Sequence, residues 1–445
     1  MSKSMTSGNP AKLIFFFSLP LIIGNLFQQF YNMADTLIVG RTIGVDALAA
    51  VGCTGSLNFF IIGFVTGFTS GLTIPAAQSF GAQNFKEVKR SFAAGIVLSC
   101  AVAVIMTVLA LFLTRPALML LNTPAEILDD AVSYLRIIFL GISATVLFNL
   151  VSSIMRALGD SRVPLYFLTF ACCINIALDI LLIRIFHMGV AGAGVATVFS
   201  QLVSGICCCF YITRKMPVLQ LSREDFYLTR NDLARHLRIA LPMAFQMSII
   251  AIGALILQVA LNSLGAVSVA AYTAAQKIDT LATFPLNSLG AAMSTYSAQN
   301  YGAGKMDRVR KGVFQCILMS LAFSIIMGAV NIFFGSRLAA VFVGEAETEV
   351  LKLAQTYLII NGSMYWVLGL LFIYRFTLQG MGNGLAPTIA GTMELVMRTA
   401  AALLLTGQLG FAGAAMANPL AWIGSCIPLS IAYYHITRKK KTAVS

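Results

Sequence analysis

Charged residues are scarce in this sequence. Asp, Glu, Lys and Arg together make up 11% of its 445 residues, whereas hydrophobic residues make up 58% and the mean hydropathy is +0.85. In soluble globular proteins the charged fraction is about a quarter. This deficit excludes a soluble protein and indicates an all-α polytopic membrane protein, in which apolar helices face lipid.

The sequence also has little of what enzymes and metal sites need. Its three histidines, His187, His236 and His435, lie near loops or near the ends of apolar runs. The nine cysteines lie almost wholly inside apolar segments, including the run 207–209, and none has metal-ligand spacing with histidine. No Ser/His/Asp grouping is present. We therefore expect no enzyme activity, no disulfide framework and no cofactor.

Long polar segments are missing as well, so no soluble domain can carry the net charge of +13. This argues against nucleic acid as a partner. If the N-terminus is cytoplasmic, 21 basic residues fall on the inner side of the apolar runs and 6 on the outer side. The asymmetry follows the positive-inside rule. It predicts a multi-pass protein of the cell membrane, with both termini cytoplasmic and in contact with membrane lipid.

Long apolar runs are what the sequence has in abundance. The runs between polar breaks predict twelve transmembrane helices, each long enough to cross a hydrocarbon core of about 30 Å. We number these spans one to twelve in chain order. They cover residues 13–40, 47–76, 92–114, 132–156, 163–186, 190–213, 238–262, 266–297, 312–335, 353–380, 386–407 and 410–436.

The two halves of the chain resemble each other. The segment AAQSFGAQNFKEVKR at 76–90 matches SAQNYGAGKMDRVRK at 297–311, at an offset of 221 residues. At nearly the same offset, GVAGAGVAT from Gly189 matches GFAGAAMAN from Gly410. A chance similarity would not keep its offset over half the chain. The protein therefore contains an internal repeat.

This repeat predicts two pseudo-symmetric lobes of six helices each. The N-lobe would cover 1–213, a basic cytoplasmic linker 214–237, and the C-lobe 238–445 with its basic C-terminal tail. Because six is an even number, both lobes have the same orientation in the membrane. Parallel repeats of this kind are a transporter architecture, with the substrate path at their interface.

The run 13–40 contains one acidic side chain, Asp35. Span five contains Asn175 and Asp179, which share a helix face because they are four residues apart. Both acids lie roughly 8 Å below the outer ends of their spans, and Thr197 on span six lies at roughly 10 Å. We expect these groups to bind a small cation such as Na⁺, or to share a proton.

An alternative gives the two acids a purely structural role. Arg41 and Arg184 lie at the rim of the same spans. They could pair with Asp35 and Asp179 as interfacial salt bridges, in which case neither carboxylate would be available to an ion.

The second half is predicted to be different. Span eight contains Lys277 and Asp279, and span eleven contains Glu394 and Arg398 at i, i+4 spacing. These charges balance, so they predict an ion-pair network near mid-membrane, with direct substrate contact as the alternative. Arg375, close to the inner end of span ten, is expected to extend toward lipid.

Several short motifs occur together in a characteristic order. They are NMADTLIVG, the loops FGAQN and YGAGK after spans two and eight, and LGDSRVP and MGNGLAP after spans four and ten. With Asn175 and Asp179 they resemble the MATE (multidrug and toxic compound extrusion) transporters over nearly the whole chain. The resemblance implies a V-shaped pair of lobes that exports cationic or amphipathic organic compounds in exchange for Na⁺ or H⁺.

The resemblance also assigns roles to residues. In that family the N-lobe cation site uses an Asp on span one, an Asn and an Asp on span five and a Thr on span six, which match Asp35, Asn175, Asp179 and Thr197. Span seven here has no acid, unlike some members, which favours coupling through the first half. The polar positions that match the N-lobe substrate cavity are Gln28, Tyr31 and Asn149.

These features together predict a secondary antiporter that works by rocking of its two lobes. Pro20 lies inside span one, where proline removes a backbone hydrogen bond. It would let this span bend when the charge at Asp35 changes, with a static kink as the alternative. The main rival function is a lipid or lipid-linked oligosaccharide flippase of the same superfamily. A membrane enzyme and a passive channel fit the sequence less well.

Overall fold

The computed structural model describes residues 4–121, 123–344 and 346–442, and the side chains of 45 and 439–442 lie outside that description. All regular structure in these residues is helical. A π-helical segment, Ile180–Ile185, and two 3₁₀ turns, Pro217–Leu219 and Arg223–Phe226, complete it. The α-helices are α1 (Pro10–Thr42), α2 (Val45–Leu72), α3 (Ile74–Gly81), α4 (Phe85–Leu120), α5 (Ala125–Leu140), α6 (Ile142–Ala157), α7 (Arg162–Asp179), α8 (Gly189–Lys215), α9 (Arg230–Asn262), α10 (Ala266–Gly302), α11 (Met306–Val343), α12 (Thr348–Gly362), α13 (Tyr365–Gly380), α14 (Leu385–Leu409) and α15 (Phe411–Thr442).

The predicted all-α membrane fold is confirmed. In the described part of the chain, nine helical segments are long and apolar enough to cross a membrane, and eleven if two bent pairs each form one span. The pairs are α5 with α6, bent by 46°, and α12 with α13, bent by 49°. They coincide with predicted spans four and ten. The remaining predicted span, 266–297, is the continuous helix α10, which carries Lys277 and Asp279 and is not among the eleven.

The chain forms two compact units that divide two helices. The first unit contains Ile23–Ser248, and the second contains Met5–Ile22 together with the described residues from Ile249 onward. Helix α1 therefore belongs to the second unit up to Ile22, and α9 belongs to the first unit up to Ser248. The predicted lobe limits at 213 and 238 follow the repeat and not these packing contacts, so they stay a prediction.

In the first unit, close backbone contact joins α2 to the beginning of α9. A Cβ atom added at Gly67 would lie 2.6 Å from the carbonyl oxygen of Met243, and one added at Gly71 would lie 2.6 Å from Cα of Ala240. Only glycine permits so short a distance between helices. Phe68 and Leu72 complete this contact as fully buried side chains.

The first copy of the repeated segment, residues 76–90, also bonds to the start of α9. Arg90 forms a salt bridge with Asp232 at 2.8 Å, and Arg235 bonds to Glu87 at 3.4 Å. The side chain of Asn84 also orders the turn itself, because its Oδ1 accepts a hydrogen bond from the backbone N–H of Glu87. Two ion pairs therefore join this repeated segment to the start of α9.

In the second unit, the other copy of this segment, residues 297–311, forms hydrogen bonds to the residues that precede α1. The backbone N–H of Met5 donates to Oε1 of Gln299 at 2.8 Å, and Nδ2 of Asn300 donates to the carbonyl oxygen of Met5 at 3.1 Å. Arg308 donates to the carbonyl oxygen of Gly8 at 3.0 Å. The two copies of the repeated segment therefore make equivalent contacts. Each copy bonds at or just before the first helix of the other half of the sequence.

Candidate functional site

The four residues predicted to bind a cation lie in the first unit, on three helices. Asp35 is on α1, Asn175 and Asp179 are on α7, and Thr197 is on α8. Asp35 is 9% exposed, and Asn175 and Asp179 are fully buried. The i, i+4 spacing on α7 places the last two side chains on one face. The structure thus brings together groups that are up to 162 residues apart in sequence.

Thr197 links two helices to its own. Its Oγ1 donates a hydrogen bond to the carbonyl oxygen of Ala193 at 3.0 Å. Because a hydroxyl has one hydrogen, Oγ1 accepts from its other partners, which are Nδ2 of Asn175 at 3.4 Å and the hydroxyl of Tyr31 at 3.1 Å. Tyr31 matches a substrate-cavity position by resemblance, and here it lies against the candidate cation site.

The carboxyl groups of Asp35 and Asp179 lie close enough to interact with each other. A carboxylate only accepts hydrogen bonds, so a direct bond between the two groups would need a proton on one of them, and two charged carboxylates would attract a cation. Within the described residues, no donor reaches Oδ1 of Asp35, either carboxyl oxygen of Asp179, or Oδ1 of Asn175. These four buried oxygens are hard ligands, and they suit H⁺ or Na⁺.

The rim-pairing alternative is not what the structure shows. Arg41 and Arg184 are both exposed. Among the described residues no donor, and therefore neither arginine, reaches a carboxyl oxygen of Asp179, and the described ion pairs of the first unit involve neither arginine. Exposed arginines gain more from water and headgroups than from reaching down to a buried acid. The two acids are therefore not neutralised by the rim arginines.

Two features beside the carboxyl pair were not predicted. Tyr134 on α5 is buried, 7% exposed, and lies within electrostatic range of both Asp35 and Asp179. Its signal in the sequence is weak, because one tyrosine in an apolar run is more often a packing residue. The π-helical segment Ile180–Ile185 begins directly after Asp179. π-Helical turns are rare and often occur at functional sites, yet no residue pattern announced this one.

The other two positions that resemble the substrate cavity, Gln28 and Asn149, make no described hydrogen bond to the carboxyl pair. Asn149 donates from Nδ2 to Oγ1 of Thr66 at 3.4 Å. One turn earlier on α6, Thr145 donates to Oε1 of Gln201 at 2.6 Å. Gln28 is exposed on α1. Gln28 and Asn149 are therefore not joined to each other by any described hydrogen bond, and their role in a substrate cavity stays a prediction.

In the second unit, Glu394 lies between two arginines. Its Oε1 accepts from Arg398 at 2.9 Å, and its Oε2 accepts from Arg375 at 2.6 Å. All three side chains are buried. The expectation that Arg375 extends toward lipid is therefore wrong, because the nearby buried carboxylate offers a charge-assisted bond that lipid does not. The position of Arg375 near the end of its span gave no indication that Glu394 would be its partner.

Lys277 and Asp279 do not join this triad by any described ion pair. Asp279 accepts a hydrogen bond from the hydroxyl of Tyr365 at 2.6 Å, and that hydroxyl accepts one from Asn331 at 2.7 Å. Lys277 is exposed, and its Nζ lies 5.4 Å from the centre of the Phe342 ring. The predicted four-residue network is thus three separate groups, because the two charges of α10 lie on different faces of that helix.

Pro20 lies inside the continuous helix α1 and is buried. It precedes by two residues the end of the part of α1 that packs in the second unit, at Ile22. A proline leaves one carbonyl of the preceding turn without its helical partner, which lowers the cost of bending there. Bending at this position stays a prediction.

Comparison with known proteins agrees with the repeat. The MatE family model matches residues 20–181 and matches again at residues 242–404, so the second match starts 222 residues after the first. The Bacillus subtilis (strain 168) relative "Probable multidrug resistance protein YpnP" is 28% identical over 438 residues, which cover 98% of this chain and 97% of the relative. A Shewanella oneidensis protein named "FAD transporter" is 24% identical, over 85% of this chain and 84% of its own.

Solved structures share the fold. The structure described as "Crystal structure of MATE in the bent conformation" has a TM-score of 0.91 over 99% of this chain and 98% of its own, at 22% sequence identity. Similarity at that level of identity shows the fold. The two matches of the family model cover well over half of the sequence. The chain therefore belongs to the MATE family, which is a family of transporters and not of enzymes.

Proposed function

We propose that this protein is a secondary antiporter that exports cationic or amphipathic organic compounds in exchange for H⁺ or Na⁺. The observation that carries the proposal is the close pair of buried carboxyl groups at Asp35 and Asp179, because no donor among the described residues reaches Oδ1 of Asp35 or either carboxyl oxygen of Asp179. An acid within a membrane segment is costly unless it is used. A pair that needs a cation to be stable is suited to ion coupling.

The coupling would work through the electrostatics of this pair. An ion that enters from outside neutralises Asp35 and Asp179 and draws α1 and α7 together, and its release to the inside restores the repulsion. Thr197 and Asn175 orient the site through their hydrogen bond, and Tyr31 ties α1 to α8. The division of α1 after Ile22 means that movement of this helix would be transmitted to the second unit.

The substrate class follows from the surfaces that the chain can offer and from its relatives. It contains 31 Phe and 19 Met, which supply adaptable apolar contact. The Bacillus relative is named as a probable multidrug resistance protein. The Shewanella relative is named as a transporter of FAD, a large anion, and FAD is therefore the competing substrate for the assay.

The test is transport in proteoliposomes, with a Na⁺ gradient and a pH gradient imposed separately. We expect one gradient to drive uptake of a fluorescent organic cation into inverted vesicles, and Asp35→Asn to abolish that dependence. Asp46→Asn is the matched control, because Asp46 is an exposed acid at the start of α2 in the same unit. Transport that ignores both gradients, or equal loss in both variants, would contradict the antiport proposal. Transport of FAD alone would contradict the substrate class.

We also propose that the protein lies in the cell membrane with both termini in the cytoplasm. The support is the excess of basic residues on one side of the predicted spans, 21 against 6. Reporter fusions at the C-terminus and after Leu121, in the predicted outer loop that follows α4, test this orientation. We expect cytoplasmic reporter activity at the first site and periplasmic or external activity at the second, and the reverse pattern would contradict it.

A further inference from the structure

A cavity of about 360 Å³ lies in the second unit, at the end of the bundle where α11 begins and α15 ends. Two arginines, Arg310 and Arg438, line it together with Tyr374, Tyr433 and Tyr434. None of these residues belongs to the carboxyl pair or to the buried triad around Glu394. The cavity therefore has no role in the function proposed so far.

The two arginines give the cavity a positive charge. Arg310 donates to the carbonyl oxygen of Thr437, which also lines the cavity, and it pairs with Asp307 at 3.0 Å. The side chain of Asp307 is 96% exposed, so this pair is weak and easily replaced by a stronger anion. Arg438 makes no described hydrogen bond or ion pair. Two guanidinium groups with one weak counter-charge form a site for a doubly coordinated anion such as a phosphate.

The three tyrosines give the same cavity a second property. The ring centres of Tyr374 and Tyr433 are 5.1 Å apart, and those of Tyr433 and Tyr434 are 5.4 Å apart. The ring centres of Tyr374 and Tyr434 are 6.4 Å apart. Tyrosines that combine an apolar ring with a polar tip are enriched at the level of lipid headgroups. The three tyrosines thus give the lining of the cavity both polar hydroxyls and apolar rings.

Exposed apolar side chains continue from the cavity along both helices. On α11 Phe314 is 62% exposed and Leu318 is 51% exposed, one turn apart. On α15 Ile431 is 65% exposed and Tyr434 is 55% exposed. In a protein that crosses a membrane, such stripes face acyl chains. The cavity is therefore open toward lipid, and a ligand that has a charged head and apolar tails fits it better than a soluble anion does.

We infer that this cavity binds the phosphate group of an anionic phospholipid, with Arg310 and Arg438 on the phosphate oxygens, the tyrosine hydroxyls on the headgroup, and the acyl chains along Phe314 and Ile431. The basic ends of α11 and α15 place it at the inner leaflet in the orientation proposed above. Anionic lipids attract each nearby arginine or lysine by enough to change affinity about fivefold. Removal of one arginine should therefore weaken lipid binding by about that factor.

The test measures lipid binding by the full chain in detergent, as the rise in apparent melting temperature during titration with phosphatidylglycerol, phosphatidylcholine or glycerol phosphate. We expect phosphatidylglycerol to act at the lowest concentration, and the Arg310→Gln and Arg438→Gln variants each to need about fivefold more of it. Lys311→Gln is the matched control, because Lys311 neighbours Arg310, is exposed and does not line the cavity. Arg438→Gln removes no described contact, so it tests the site without disturbing the fold.

Three results would overturn the inference. Equal effects of phosphatidylglycerol and phosphatidylcholine would show that charge is not recognised. An equal loss in Lys311→Gln would indicate a diffuse basic surface and not a site. Saturation by glycerol phosphate at the same concentration as lipid would indicate a soluble phosphate ligand. The readout is binding and not transport, so failure here leaves the antiport proposal to its own test.

Discussion

The two units handle buried acids in opposite ways. In the second unit Glu394 has an arginine on each carboxyl oxygen, at 2.6 and 2.9 Å. In the first unit, no described arginine or lysine pairs with Asp35 or Asp179, which interact with each other. A buried charge in a membrane must be paired or neutralised. At Glu394 the second unit meets this requirement with its own side chains, whereas no described cationic side chain of the first unit meets it at Asp35 and Asp179. This difference is the reason for proposing ion coupling at the first-unit pair and a structural role for the Glu394 triad.

The largest expected effect comes from breaking the paired side of this comparison. Glu394→Gln leaves Arg375 and Arg398 buried without a counter-charge, and the loss of one partner of a buried ion pair costs about 3–5 kcal/mol. We expect the apparent melting temperature of the detergent-solubilised protein to fall steeply. A fall no larger than that of an exposed substitution such as Glu349→Gln would show that water or lipid reaches the two arginines.

The next effect concerns the other acid of the second unit. Tyr365→Phe removes the hydroxyl that donates to Asp279 at 2.6 Å. A hydrogen bond to a charged group contributes about 1.5–3 kcal/mol, so the free energy of unfolding should fall by that amount. Tyr166→Phe is the control, because it removes a hydroxyl from an exposed tyrosine that makes no described hydrogen bond. Equal changes in the two variants would contradict a specific role for the Asp279 contact.

A smaller effect is expected at the hydroxyl that orders the first unit. Thr197→Val keeps the shape of the side chain but removes the acceptor of Tyr31 and Asn175. One of the two bonds is long, at 3.4 Å, so the loss should be about 1 kcal/mol. Ion dependence of transport should weaken more than stability does. Unchanged ion dependence would contradict a role for Thr197 in the cation site.

The smallest effect on stability is expected when the same acid-to-amide substitution is made at Asp35, which has no described cationic partner. Asp35→Asn is the same acid-to-amide change as Glu394→Gln, but it removes no described donor and supplies an N–H that can bond to Asp179. We expect a change within about 0.5 kcal/mol of zero. A loss as large as that of Glu394→Gln would mean that Asp35 has a structural partner, and the contrast between the units would fail.

Much of the candidate site was predictable because helix geometry converts sequence spacing into depth and face. Asp35, Asp179 and Thr197 were placed at one level, and they do lie together in the first unit. The partners were harder to predict. The closeness of Tyr134 to this pair, and the bond of Tyr31 to Thr197, depend on which helices are neighbours, and helical periodicity does not contain that information.

Arg375 illustrates the same limit from the opposite side. Its place near the end of a span predicted contact with lipid, yet it lies buried against Glu394, 19 residues away on the next helix. The bend of 49° between α12 and α13 is part of this arrangement, since it changes the direction in which the end of the span points. A hydropathy pattern reports that a segment is apolar but not where it bends.

The sequence alone determined the membrane-spanning helical fold, the repeat and the short set of residues that carry charge into the membrane, because hydrophobicity and spacing act along the chain. Only the tertiary structure decided which of those charges are paired. It also decided that α1 and α9 are each divided between two units, because packing depends on contacts between segments more than two hundred residues apart. Ion pairs form in three dimensions, where a partner one helix away in space can be anywhere in the sequence.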